Sequence, residues 1–241
     1  MRNPLKVGIL YPLHSAEDDY PRLAAALKPA VEVRVVHTDS PNLHRIDETQ
    51  ITGSREYLLA GVEELIPQDV DVCLWACTSG SFAFGLEGAR RQAQDLADTL
   101  GVPSSSTSLA FLSACKALGL KRVAVAATYP EELSTAFRTF LESDGIEVVH
   151  MGCLGVWTGD ESALIERDEV LRFARANDHP DAEAVLIPDT ALYTAAFLPE
   201  LETTVGKTVL TANQVTMWEG LRLANRFTPQ SGLGRLMEVV V

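Results

Sequence analysis

Residues 71–84 read DVCLWACTSGSFAF, and this stretch decides how the rest of the chain is interpreted. It begins with the apolar run of a buried strand and changes at Cys77 into small hydroxyl residues and glycine, which is typical of a strand that leads into a helix N-terminus. Cys77 is therefore predicted at the carboxyl end of a strand. In parallel sheets ligands bind at that edge, because the helices that follow the strands point unpaired N–H groups into the crevice.

Cys77 is the candidate nucleophile of this stretch. Helix N–H groups favour a thiolate over a thiol, and a nearby helix start lowers a cysteine pKa by ~1 unit or more from its usual ~8.5. Thr78 and Ser79 follow at once and supply small donors where a carboxylate can dock. The alternative is a packing role, since free cysteine is among the most buried residue types.

The charge of the chain limits its partners. With 33 acidic and 20 basic residues the formal net charge is -13, so nucleic acid and anionic membranes would be repelled. An anionic substrate must then be held by local N–H and O–H donors. The 241 residues suffice for one large or two small α/β domains, and no signal-like or membrane-spanning apolar run is found, so we expect a cytoplasmic protein.

Two common kinds of site are not expected. None of the four cysteines stands in a CxxC pair and no histidine is close in sequence to Cys73 and Cys77, so no metal site is predicted. A nucleotide-dependent dehydrogenase is also not expected, because residues 8–12 (GILYP) lack the glycine-rich turn that such enzymes carry after the first strand.

Strand-like and helix-like segments alternate along the whole chain, which favours parallel sheets with right-handed crossovers. Strands are predicted at 6–11, 31–37, 72–77, 102–104, 122–128, 146–151, 184–188 and 210–213, and helices at 20–27, 54–66, 89–100, 108–118, 131–143, 160–176 and 215–225. We therefore expect an α/β fold of two similar Rossmann-like parallel-sheet domains related by a pseudo-twofold axis, with the active site in the crevice between them. Residues 1–113 plus 212–241 would form the domain that carries Cys77, and residues 114–211 the domain that carries Tyr129 and Asp189.

The two halves also correspond in their candidate chemistry. A strand ends at Tyr11-Pro12 in one half and at Tyr129-Pro130 in the other, and the third strands end in Cys77-Thr78 and Asp189-Thr190. If the halves face each other, Cys77 and Asp189 approach one bound carbon from opposite sides, as racemisation, isomerisation or stereospecific protonation requires. The alternative for Asp189 is an N-cap of a following helix.

Four motifs carry a resemblance to a known family: ACTSGSF at 76–82, GVPSSSTSLA at 101–110, ATYPEE at 127–132 and TANQVTMWEGLR at 211–222. Their order and spacing resemble the aspartate/glutamate racemase superfamily over nearly the whole chain. The branch that they are most similar to contains maleate cis-trans isomerases, arylmalonate decarboxylases and EutA-like ectoine-utilisation proteins.

The resemblance implies roles for individual residues. Cys77 falls on the first catalytic cysteine of the family, and Asp189 falls where the family usually has its second cysteine. Donors to the substrate carboxylate are implied at Thr78, Ser79, Tyr129 and Thr190, with Tyr11 and Ser15 in the same crevice. The chain departs from arylmalonate decarboxylases, which have glycine at the first position and cysteine at the second, and from maleate isomerases, which carry an SSN segment where this chain has Leu13-His14-Ser15.

The function that this resemblance implies is a cofactor-independent isomerase of a small mono- or dicarboxylate, similar to maleate cis-trans isomerase, in which the Cys77 thiolate is nucleophile or base. A racemase or an arylmalonate-type decarboxylase that uses Cys77 and Asp189 as a proton-transfer pair is the alternative, as is an EutA-like protein. A homo-oligomer is expected because relatives tend to associate. A cysteine hydrolase would need a histidine near Cys77, for which His14 is the candidate, and a non-catalytic binding protein stays open because the second cysteine is absent.

Overall fold

Two four-stranded sheets, both entirely parallel, form the framework of the protein in a computed structural model that describes residues 3–239. The strands of the first sheet are β1 (Leu5–Pro12), β2 (Val31–Thr38), β3 (Val72–Trp75) and β4 (Ser104–Ser106), in the order β2-β1-β3-β4. The strands of the second are β5 (Arg122–Ala127), β6 (Glu147–Cys153), β7 (Ala184–Ile187) and β8 (Thr208–Thr211), in the order β6-β5-β7-β8. The predicted fold class is confirmed.

The second sheet repeats the strand order of the first, and this repetition places the site. In each sheet the second strand pairs on one side of the first strand and the third strand pairs on the other side. The strand order therefore reverses direction between β1 and β3 and again between β5 and β7, and these are the two topological switch points. Open parallel sheets bind ligands in the crevice outside the carboxyl ends of the strands at such a point. Tyr11 lies at the end of β1 and Cys77 lies two residues beyond β3, while Tyr129 and Asp189 lie two residues beyond β5 and β7.

Eleven α-helices are present between residues 3 and 239. Their bounds are α1 (Asp19–Ala26), α2 (Ile46–Thr52), α3 (Arg55–Leu65), α4 (Ser79–Phe82), α5 (Gly85–Leu100), α6 (Thr107–Ala117), α7 (Glu131–Ser143), α8 (Gly159–Ala163), α9 (Arg167–Ala176), α10 (Leu198–Val205) and α11 (Ala212–Leu223). In this described part of the chain, no helix combines the length and the apolar character that crossing a bilayer requires.

The structure corrects several predicted elements. The single helix predicted at 160–176 is two helices, α8 and α9, because the chain turns at Leu164, whose side chain points into solvent. The strand predicted at 102–104 lies at Ser104–Ser106, and the one predicted at 210–213 lies at Thr208–Thr211. Helices α2 and α10 were not predicted, since each is short and lacks a long apolar period.

The last helix returns to the first sheet. Every residue of α11 from Ala212 to Leu221 is buried, and a Cβ on Gly220 would lie only 3.0 Å from the Leu74 side chain of β3. A glycine at this point therefore lets the helix backbone approach the strand closely. The contact agrees with the expectation that 212–241 belongs with the first half, although the domain boundaries themselves stay a prediction.

Candidate active site

Cys77 lies two residues beyond the end of β3 and two before the start of α4. The backbone N–H of Gly80 donates to its Sγ at an N···S distance of 3.3 Å, and the Ser79 hydroxyl oxygen lies 3.7 Å from the same sulfur. A Cβ on Gly80 would lie 3.0 Å from Sγ. The absence of a side chain at Gly80 therefore allows the first turn of α4 to wrap around the sulfur.

Buried polar contacts fix the turn that holds Cys77. The side-chain amide of Gln92 on α5 donates to the carbonyl oxygens of Gly53 and Gly80, at 2.7 and 2.8 Å. The Ser81 hydroxyl bonds to those of Ser106 and Ser108, at 2.7 and 2.6 Å. Because α4 is joined in this way to α5 and to the start of α6, the sulfur is held in one position.

The predicted depression of the Cys77 pKa is wrong. Burial raises the pKa of this thiol to about 11, and the nearby negative charge of Asp189 acts in the same direction, while the Gly80 and Ser79 donors lower it only in part. The reason is that α4 has only four residues, whereas Cys77 is only 5% exposed and is largely shielded from water. Cys77 is therefore a protonated thiol at neutral pH.

The neighbouring hydroxyl of Thr78 is the most direct sign of a ligand site. Thr78 is completely buried, and its Oγ1 has no hydrogen-bond partner among the residues that the structure describes. Buried polar atoms in proteins are almost always bonded, so this hydroxyl, which lies beside the Tyr129 side chain, is a candidate donor to a molecule bound in the crevice. Ser79 lies in the wall of the same crevice.

Tyr129 and Asp189 lie together behind the crevice wall. The Tyr129 hydroxyl donates to the Pro188 carbonyl oxygen at 3.0 Å, so its proton is already engaged by the backbone. Asp189 is 3% exposed, and its carboxylate accepts the Ala191 N–H at 2.9 Å and the Thr128 hydroxyl. Burial raises the pKa of Tyr129, and the nearby Asp189 carboxylate acts in the same direction.

The N-cap alternative for Asp189 is wrong. Residues 188–194 form turns, and the next α-helix starts only at Leu198. The Asp189 carboxylate instead bonds the N–H of Ala191, two residues further along the chain, in the manner of an Asx turn. Its negative charge is thus held at the carboxyl end of β7.

Tyr11, Ser15 and Thr190 link the two halves across the crevice. The Tyr11 hydroxyl donates to the Thr190 carbonyl oxygen at 2.9 Å and bonds to the Ser15 hydroxyl at 2.6 Å. Because its proton goes to the backbone, Tyr11 shapes the crevice instead of offering a free donor. Of the predicted site residues, the crevice wall includes Tyr11, Ser15, Cys77, Ser79 and Thr190, while Thr78, Tyr129 and Asp189 lie buried outside that lining.

The loop that follows β2 closes one side of the crevice and was missed by the sequence analysis. His44 and Asn42 line the crevice, and both hold the loop to the second half. The His44 Nδ1 donates to the Val156 carbonyl oxygen at 2.9 Å, and the Asn42 side-chain oxygen accepts the Gly159 N–H at 2.9 Å. His14 and His44 therefore both line the crevice that contains Cys77. The sequence offered one signal for this loop, since β2 is parallel to β1 and both strands therefore end at the same edge of the sheet.

Comparison with known proteins gives one family. The family model described as arylmalonate decarboxylase matches residues 14–237. The arylmalonate decarboxylase of Bordetella bronchiseptica is 28% identical over 146 residues, a match that spans 58% of this chain and only 60% of that protein. The maleate isomerase of Alcaligenes faecalis is 24% identical over 185 residues, which is 73% of this chain and 72% of that protein.

Solved structures agree on the fold. The maleate isomerase of Pseudomonas putida S16, solved as a cysteine-to-alanine variant with maleate, superposes with a TM-score of 0.91 over 99% of both chains at 20% sequence identity. The superposition shows a common architecture of two parallel sheets, and at 20% identity it shows no more than the fold. The reaction has to be inferred from the residues of this chain.

Proposed function

The chain belongs to the arylmalonate decarboxylase family, and from this premise we propose that it moves a proton at the α-carbon of a small carboxylate without a cofactor, with Cys77 as the acid. The observation that carries the proposal is the position of the Cys77 thiol in the crevice wall, where burial raises its pKa to about 11. A thiol with a raised pKa is a poor nucleophile at neutral pH but keeps its proton until a strongly basic carbon atom forms beside it.

The Thr78 and Ser79 hydroxyls are the proposed carboxylate donors. Thr78 Oγ1 is buried without a partner among residues 3–239, and Ser79 lies in the crevice wall next to the sulfur. When the α-carbon becomes a carbanion, its charge spreads into the adjoining carboxylate and gives an enediolate. Donors already in place for that charge cost no reorganisation, and one such donor is typically worth ~100-fold or more in rate.

In the decarboxylase version of the reaction, the bond between the α-carbon and one carboxylate of a malonate breaks. Carbon dioxide leaves, and the bonding electron pair stays on the α-carbon as the enediolate. The Cys77 S–H then gives its proton to that carbon, and the thiolate regains a proton from water. In the racemase version, the Asp189 carboxylate removes the α-proton on one face and the Cys77 S–H donates its proton on the other. The protonated Asp189 then releases its proton to water, and the thiolate takes one from water.

The test is proton NMR in D₂O with phenylmalonate, both enantiomers of aspartate and glutamate, and maleate. We expect loss of carbon dioxide from a malonate, or deuterium uptake at an α-carbon, that disappears in Cys77→Ala. The matched control is Cys115→Ala, since Cys115 is also a buried free cysteine but lies on α6. Turnover that persists unchanged in Cys77→Ala would exclude the proposed role of the thiol.

Cis-trans isomerisation is the second candidate, and the contacts at the sulfur favour it. The Gly80 N–H and the Ser79 hydroxyl both lie within reach of Sγ, where they would stabilise a thiolate during the reaction. That thiolate would add to the double bond of a substrate such as maleate, allow rotation about the central bond, and leave. Conversion of maleate to fumarate, without carbon dioxide release from phenylmalonate, would select this reaction.

A further inference from the structure

Three side chains with metal-binding atoms converge at the mouth of the crevice. His14 and Glu17 lie between β1 and α1, and His37 lies in β2, whose register places it beside Tyr11 at the end of β1. The His14 Nδ1 and the His37 Nε2 lie 3.0 and 3.1 Å from the same Glu17 carboxylate oxygen. The three candidate ligand atoms are all within 4.8 Å of one another.

We propose that His14, Glu17 and His37 bind a divalent transition-metal ion of the Zn²⁺ type. Two imidazole nitrogens and one carboxylate oxygen are a donor set that such ions prefer. With bonds of about 2.1 Å and angles of 90–110°, neighbouring ligand atoms are about 3.0–3.4 Å apart; the two distances to the Glu17 oxygen match this range, and the two histidine nitrogens lie within 4.8 Å of each other. Small rotations of the side chains would therefore suffice to admit an ion.

The surrounding contacts orient the carboxylate for this role. The second Glu17 oxygen accepts the backbone N–H of Ser15 at 2.7 Å, which leaves the first oxygen directed at the two histidines. Such a contact to the non-ligating atom is what holds metal-binding carboxylates in place. The rings of His14 and His37 lie against each other, with centroids 3.8 Å apart, so the two side chains are held together at one place.

An ion bound by these three side chains would lie next to the crevice and affect what binds there. His14 and Ser15 both contribute to the crevice wall, whereas Glu17 and His37 lie just outside it. Three protein ligands leave a coordination position open for water or for an oxygen of a bound molecule. A cation here would also supply local positive charge in a chain whose formal net charge is -13.

The experiment is isothermal titration of Zn²⁺ into EDTA-treated full-length protein. A Cys153→Ser background removes the one exposed free cysteine among the described residues, which would otherwise compete for zinc. We expect one ion per chain, with the dissociation constant raised at least ~10-fold by Glu17→Gln and by His14→Ala. The His14 side chain is 73% exposed, so its replacement leaves the fold intact.

His179→Ala is the matched control, because His179 stacks on His150 in a second histidine pair away from this site. The dissociation constant of Zn²⁺ should be the same for His179→Ala as for the Cys153→Ser background protein. The proposal is overturned by the absence of saturable binding, by unchanged affinity in both Glu17→Gln and His14→Ala, or by loss of binding in His179→Ala. None of these readouts depends on the reaction at Cys77.

Discussion

Replacing Asp19 tests how the crevice loop of the second half is held to the first. Asp19 is 1% exposed at the start of α1, and one of its carboxylate oxygens accepts three hydrogen bonds. The donors are the backbone N–H groups of Thr194 and Ala195, at 2.8 and 3.0 Å, and the side-chain amide of Asn213, at 3.1 Å. Asn213 also donates to the Thr190 carbonyl oxygen at 3.2 Å, so the network reaches the crevice.

Asp19→Ala removes the only acceptor that these three donors share. The Asn213 amide keeps its bond to the Thr190 carbonyl, so two backbone N–H groups are left without a partner. At about 1–3 kcal/mol for each, we expect a loss of about 2–5 kcal/mol in the free energy of unfolding. Asp19→Asn keeps a carbonyl oxygen at the bonded position, because all three bonds go to the same atom. Its expected loss is below about 1.5 kcal/mol, the value of about one ordinary hydrogen bond.

The pH dependence separates the charge from the hydrogen bonds. Burial raises the pKa of Asp19, and its backbone and side-chain donors offset this only in part. A carboxyl whose pKa is raised by folding binds its proton more tightly in the folded state, so its contribution to stability is full in acid and falls as pH rises through the folded pKa. The wild type should therefore gain stability relative to Asp19→Asn as pH falls from neutrality to about 4.

The assay is urea unfolding, followed by circular dichroism at pH 7 and at lower pH. Asp18→Ala is the matched control, since the exposed Asp18 side chain makes no capping bond to α1, and we expect a change within about 0.5 kcal/mol. Equal stability of Asp19→Ala and Asp18→Ala would refute the proposed network. Equal losses in Asp19→Ala and Asp19→Asn would show that the charge, not the acceptor, holds the loop.

Three further outcomes follow from the site. Thr78→Val should leave the free energy of unfolding within about 1 kcal/mol of the wild type, because the hydroxyl has no protein partner in the described chain, but should lower turnover ~100-fold or more. In a Cys153→Ser background, the rate at which iodoacetamide alkylates Cys77 should rise about tenfold per pH unit up to pH 10, because the pKa of the thiol is raised to about 11. The rate is measured by mass spectrometry, and a plateau near pH 8 would contradict this expectation. Gln92→Ala should lower the free energy of unfolding in urea by about 1–3 kcal/mol, because the carbonyl oxygens of Gly53 and Gly80 both lose their donor. A loss below about 0.5 kcal/mol would count against this role of Gln92.

The parts of the fold that the sequence predicts are those set by local patterns. Short apolar runs with turn residues after them located the strands, and the repeated Tyr-Pro and hydroxyl-containing ends indicated two related halves. The order β2-β1-β3-β4 and its repetition in the second sheet agree with that prediction. The break between α8 and α9 was missed because nothing at Leu164, neither proline nor glycine, marks it in the sequence.

The site was predicted less completely because its contacts are distant in sequence. The bond from Tyr11 to the Thr190 carbonyl joins residues 179 positions apart, and the bond from His44 to Val156 joins residues 112 apart. No local pattern in the sequence predicts either of these two hydrogen bonds. The error in the Cys77 pKa has the same origin, since a helix start is visible in the sequence, whereas burial of the sulfur depends on the packing of the whole chain.

The two halves share a topology but provide unequal chemistry at equivalent positions. The first half ends its third strand in a thiol that is protonated at neutral pH, and the second ends its third strand in a carboxylate that two donors hold in place. A pair of cysteines could exchange roles as acid and base, but a thiol and a carboxylate differ in charge and basicity, so each would keep one role. If the proposed reaction holds, protonation by Cys77 should occur on a single face of the substrate, and a prochiral malonate should give one product enantiomer in excess. A racemic product would instead require that Asp189 protonates the opposite face as readily as the thiol does.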